Sequence, residues 1–174
     1  MSNENYIIKN EKNEKSYYNK CDIIKEQFIK DENFKNKKPN IAQINKSLKE
    51  ILSLFCNVAE DNEIIIDYRY FKLLESINCL DKDYIIKYVM NHISIVLKKQ
   101  EHFIVHLCLH SLSLTDLEKH YSFMYKISEV LKTSFPDNLQ KCFIYKAPFI
   151  FSQFFSVIST FVDKKTLAKI ELIN

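Results

Sequence analysis

FPDNLQKCFIYKAPFIFSQFF, residues 135–155, is the stretch on which the reading of this chain turns. Pro136-Asp137-Asn138 is turn chemistry: proline sets its own φ, and Asp and Asn bond to nearby backbone. Cys142 to Lys146 then reads as a strand, and Ala147-Pro148 breaks it. From Phe149 to Val162 apolar residues cover nearly the whole circumference of a predicted helix. A helix laid on a sheet needs one apolar stripe. A helix that is apolar all round must bury its second face as well. It is either a central core helix or one that meets acyl chains or a membrane, and the pattern alone leaves both open.

Moving toward the N-terminus, Leu117, Tyr121, Met124, Ile127, Val130 and Leu131 follow helical spacing, which predicts a helix from Thr115 or Asp116 that stops by Pro136. FIVHLCL, Phe103 to Leu109, predicts a strand. Asp81 caps a predicted helix with Ile85, Val89, His92, Ile93 and Val96 along one side. Ile64 to Phe71 reads as another strand. Ile44, Leu48, Ile51, Leu52 and Phe55 stripe a first helix, with order expected from about Ile41. Toward the C-terminus, Asp163 to Thr166 turns the chain into a last strand, Lys169 to Ile173. Strands alternate with helices, so the expected class is α/β with a mainly parallel sheet and crossover helices.

Residues 1–40 are dominated by Asn, Lys and Glu and are expected to form a disordered arm ending at Lys37-Lys38-Pro39. Within it, Cys21 to Lys30 also suits a short docking helix. The chain has 174 residues, a formal charge of +3, one arginine (Arg69) and no glycine. Base reading and phosphate clamping lean on the guanidinium fork, so no nucleic-acid partner is expected. Glycine-rich phosphate loops are excluded outright. Five cysteines without a CxxC pair argue against a disulfide framework or zinc site and for a reducing compartment. No apolar stretch reaches the roughly 20 residues of a spanning helix, and no signal peptide is visible. The expectation is a cytoplasmic protein that meets membranes at their surface.

His102, His106 and His110 invite a metal reading, but residues four apart on a strand stand about 13 Å apart. One ion cannot bridge them, so no metal is expected. Cys108, in the strand between Leu107 and Leu109, reads as a buried structural thiol. Asp116 and Glu118 form no acid/base pair. No catalytic residue, cofactor or enzymatic activity is expected.

From residue 103 onward the sequence resembles the CRAL-TRIO family. The resemblance is carried by FIVHLCLHSLSL (Phe103 to Leu114), FPDNLQKCFIYKAPFIFSQFF (Phe135 to Phe155) and FVDKKTLAKIEL (Phe161 to Leu172). These follow in order the family's strand running into Asp-Leu-Lys-Gly, its Tyr-Pro-Glu-Arg turn, its Asn-Ala-Pro break, and its greasy helix with Phe-Leu-Asp-x-Lys-Thr. The resemblance implies a lipid-binding bowl floored by a sheet and closed by a mobile gate helix. Phe149, Ile150, Phe154, Ile158 and Phe161 occupy the gate position. Asp137 and Lys169 stand where phosphatidylinositol-binding members place headgroup residues. Phe103 and Val105 stand where those members carry a Ser/Thr pair, so lipid contact there is expected without hydroxyls. Cys108 replaces the family's aspartate, and Ser111 its glycine. The family's N-terminal lobe is abbreviated and its C-terminal tail is missing, so the bowl is expected to be truncated at both ends or finished by a partner.

The implied function is non-catalytic binding of a phospholipid, phosphatidylinositol or other hydrophobic ligand, with transfer or presentation at a membrane surface. The alternative is a degenerate module that serves as a protein-interaction scaffold without lipid. On the gate helix, Phe151 and Phe155 are expected to face the lipid, and the stripe Ile150, Phe154, Val157 and Phe161 to face the domain core.

Overall fold

The computed structural model describes residues 19–31, 34, 46–78 and 80–173. The chain divides into two compact units, Met1–Ile44 and Asn45–Asn174. In the first unit, residues 19–29 form helix α1, with Cys21, Ile24 and Phe28 buried at helical spacing. Residues 1–18, 32, 33 and 35–45, with Lys37-Lys38-Pro39 and the expected onset near Ile41 and Ile44, lie outside the described residues.

The second unit is built on five strands in the order β1-β2-β3-β4-β5: Cys56–Val58, Glu63–Asp67, Phe103–Cys108, Leu139–Tyr145 and Ile170–Ile173. The short β1 pairs antiparallel with β2, and β2 to β5 run parallel. Parallel neighbours need crossover connections. These are α3 (Tyr68–Ile77) with α4 (Lys82–Leu97), α5 (Leu114–Ser134), and α6 (Phe151–Ile158) with α7 (Lys164–Leu167); α2 (Leu48–Phe55) precedes the sheet.

Side chains alternate across a strand, so register decides which residues share a face. Ile64, Val105, Cys142 and Ile170 form one row across the four parallel strands. Ile65, His106, Phe143 and Glu171 form the next, on the opposite face. On that opposite face His106 is buried, its Nδ1 lying 2.7 Å from the Tyr145 hydroxyl. His102 and His110 lie beyond the ends of β3 and are exposed.

Several boundaries differ from the sequence expectation. Ile64 to Phe71 is not one strand: β2 ends at Asp67, whose carboxylate accepts from the Arg69 N–H and caps α3. Arg69, the only arginine, is buried and bonded to the same carboxylate through Nε at 3.0 and 3.1 Å. The guanidinium thus holds the strand-to-helix corner. The third predicted helix starts at Leu114, because Ser113 and Asp116 close a reciprocal capping box. Its Tyr121 is 45% exposed and not inward. The gate helix is shorter than 149–162: Phe149 and Ile150 precede α6 and Phe161 follows it.

With no glycine in the chain, left-handed turn positions fall to Asp61, Asn78, Ser111, Asp137 and Lys146. Ser111, in place of the family's glycine, has φ of 71°. Serine holds this left-handed conformation at a steric cost that glycine avoids.

Candidate functional site: an apolar cavity under the gate helix

Part of one face of the sheet stands open to a cavity. Ile64 and Ile66 of β2, Phe103, Val105 and Leu107 of β3, and Cys142 of β4 form the floor of a cavity of about 610 Å³. Phe71 of α3, with Val89 and Ile93 of α4, closes one side. The opposite wall is α5, through Phe123, Met124, Ile127 and Leu131. Phe154 and Ile158 of α6, followed by Phe161 and Val162, complete the enclosure.

α5 has 21 residues, yet only Leu117 and His120 are buried. Met124, Ile127 and Leu131 remain partly exposed because they look into the cavity rather than onto packed neighbours. Val105 and Leu107, in the middle of the central strand, are partly exposed for the same reason. Cys142 is partly exposed too, yet its apolar setting pushes the thiol up to about 12. A thiol in such surroundings stays protonated at neutral pH and is a poor nucleophile.

Polar groups gather at two places. Near the ends of β2 and β3, Tyr68 and His120 contribute to the lining. His120 Nε2 lies 3.2 Å from Glu75 Oε2 but makes no aligned N–H···O bond, and burial holds the imidazole below its ordinary range. The carboxylates behind them are engaged: Lys72 meets Asp116 at 3.0 Å, and Lys119 meets Glu75 at 2.8 Å. The rim at the other end carries Lys132, Asp137, Asp163, Thr166 and Lys169. There Lys165 donates to Asp137 at 2.6 Å, and Lys169 donates to the Leu139 carbonyl at 2.6 Å. Asp163 caps α7 through Thr166.

Of the residues singled out from sequence, Phe103, Val105, Asp137 and Lys169 all line this cavity, brought together from β3, the turn before β4 and the approach to β5. Within the gate segment the division of faces differs from the expected one. Phe154, Ile158 and Phe161 line the cavity, whereas Phe151 and Phe155 do not and lie half-buried. Ile150 is packed away at 2% exposure without reaching the cavity, and Phe149 is 95% exposed. Of the stripe Ile150, Phe154, Val157 and Phe161, expected to face the core, Phe154 and Phe161 face the cavity and Ile150 and Val157 do not. Tyr68 and Phe71 line the cavity from the first turn of α3, which the aromatic run Ile64 to Phe71 assigns to a strand. The helix cap at Asp67 is the signal that reveals them.

A sheet floor, a helical wall and the short apolar helix α6 surround an open apolar chamber in an α/β domain. The model of the CRAL/TRIO domain matches residues 64–174, and the chain belongs to this family. No curated protein matches the sequence. Among solved structures, the crystal structure of Sfh5 is similar, with a TM-score of 0.60 at 14% identity, over 76% of this chain and 51% of that one. At that identity the likeness is one of fold, and the chain spans about half the length of Sfh5.

Proposed function

We propose that this domain binds a single lipid in the cavity and presents it at membrane surfaces, without chemistry on it. The carrying observation is the unpacked inner face: apolar side chains of β3 and α5 surround about 610 Å³ of open space. That size falls within the range of ligand pockets. Unsatisfied apolar surface costs about 25 cal/mol per Å², so a cargo completes the core that the protein leaves open.

A phospholipid fits the distribution of charge, with Lys132 and Lys169 at the rim and hydrocarbon-like walls inside. Placement of Asp137 and Lys169 at one rim supports the phosphatidylinositol reading; the absence of hydroxyls at Phe103 and Val105 weighs against it. Presentation at a membrane is supported by the outer side of the gate. Phe149, just before α6, is 95% exposed and offers an aromatic side chain to a surface. A non-catalytic role is supported by Cys142, whose protonated thiol offers no nucleophile in the cavity wall. Free thiols at Cys21, Cys56, Cys108 and Cys142 support work in a reducing compartment.

Native mass spectrometry of the protein purified from cells tests the reading, because a bound lipid appears as added mass. A protein that arrives bare and takes up no lipid from vesicles would overturn it and put the scaffold alternative first.

A further inference from the structure

The cavity wall formed by α5 is apolar from Phe123 to Leu131 except at Ser128, and one turn later the same wall carries Lys132. Residues four apart on a helix are neighbours, with Cβ atoms about 5–6 Å apart. Helical Ser and Thr commonly bond back to a carbonyl of the preceding turn. Ser53 and Ser76 do so here, and so does Thr133 in α5 itself. Ser128 makes no hydrogen bond among the described residues, and Lys132 has neither an ion pair nor a hydrogen bond among them. The other charged groups of the rim are occupied: Asp137 by Lys165, Asp163 by Thr166, and Lys169 by the Leu139 carbonyl. A hydroxyl in an otherwise apolar wall, with the exposed ammonium of Lys132 one turn beyond it at the mouth, suits an anionic oxygen group at the end of an apolar body.

We infer that Ser128 and Lys132 form an anchor for the acidic head of the cargo, a carboxylate or a phosphate, with its hydrocarbon extending along the floor toward Leu107 and Phe71. This rests on the lipid reading of the cavity. It assigns head recognition to the α5 wall, where the hydroxyl of Ser128 serves in place of those missing from β3 at Phe103 and Val105.

The test compares three probes of one chain length, hexadecanoate, hexadecyl phosphate and 1-hexadecanol, titrated into the full chain. Both acids are expected to bind about tenfold or more tightly than the alcohol, as a charge-assisted hydrogen bond implies. The ratio between them tells the fatty-acid from the phosphate source. Lys132→Gln is expected to remove most of that advantage and Ser128→Ala part of it, while Lys164→Gln, the same charge change on exposed α7 outside the cavity, leaves it intact. Equal binding of all three probes, or an equal loss from Lys164→Gln, overturns the anchor but keeps the lipid cavity. Failure of every probe to bind overturns both. Thermal unfolding of each variant without ligand separates loss of the anchor from loss of the fold.

Discussion

Lys165 Nζ stands 2.6 Å from Asp137 Oδ1 and ties α7, just beyond the gate segment, to the turn that leads into β4. The pair bridges the rim of the cavity from the side that must move if α6 swings outward. Both side chains are about two-thirds exposed, and exposed pairs add little to folding. Lys165→Gln is therefore expected to leave the unfolding midpoint unchanged while speeding exchange of a fluorescent phospholipid between protein and vesicles. The hydrogen bond from Lys165 holds the Asp137 carboxyl below its ordinary 3.8. A lowered carboxyl pKa means that the pair persists from neutral pH down through the usual aspartate range and opens only as pH falls past the lowered value. Exchange that accelerates already between pH 6 and 5 would point to another group.

Phe154 and Phe155 are adjacent in sequence and different in role. Phe154 is 7% exposed and lines the cavity, whereas Phe155 is half-buried and lies outside it. Phe154→Ala is expected to destabilise the ligand-free protein by about 3 kcal/mol, the low end for a core phenylalanine, because one side already faces open space. Phe155→Ala should cost less than half as much and mainly weaken vesicle binding. Thermal unfolding with a vesicle co-sedimentation assay separates the two. Equal destabilisation would place both residues in the core.

Lys146 closes β4 with φ of 52°, and Ser111 follows β3 with φ of 71°. A left-handed conformation costs most side chains about 1–2 kcal/mol, and glycine returns roughly half of the gain as unfolded-state entropy. Lys146→Gly and Ser111→Gly are each expected to stabilise the fold by about 0.5–1 kcal/mol. Asn78→Gly, at φ of 50°, should gain less because asparagine tolerates this region. Denaturant titration with unchanged slope decides the matter, and loss of stability at Lys146→Gly would contradict the steric account.

His120 is 3% exposed, and burial lowers its pKa from 6.5, with the nearby Glu75 carboxylate acting in the opposite sense. The folded protein therefore binds fewer protons than the unfolded chain just below pH 6.5. Stability must fall as pH drops through that value toward the lowered one. Burial also lowers His110, so the comparison belongs in a His110→Gln background. There, His120→Phe is expected to flatten the stability curve between pH 7 and 5, measured by denaturant titration. A slope unchanged by the substitution would assign the effect to a group other than His120.

Alternation of strands and helices from Phe103 to Ile173 was legible in the sequence, because period and turn chemistry are local properties. Asp81 before α4 and Pro136 after α5 announce their boundaries without any partner. So was the greasy character of residues 149–162, though not the use made of it. Whether Phe154 or Phe155 meets the cavity depends on how α6 is rotated about its own axis, and both stripes are apolar enough to be buried. The sequence likewise could not show that Tyr68 leaves the strand, since an aromatic run suits either element until the Asp67 carboxylate caps the helix. The cavity belongs to tertiary structure alone. Met124, Ile127 and Leu131 carry the same periodic signal whether a helix packs tightly on a sheet or stands away from it. Only the separation of α5 from the floor row Ile64, Val105, Cys142 and Ile170 decides between core and chamber. That separation is set by non-local packing, which no run of residues encodes by itself.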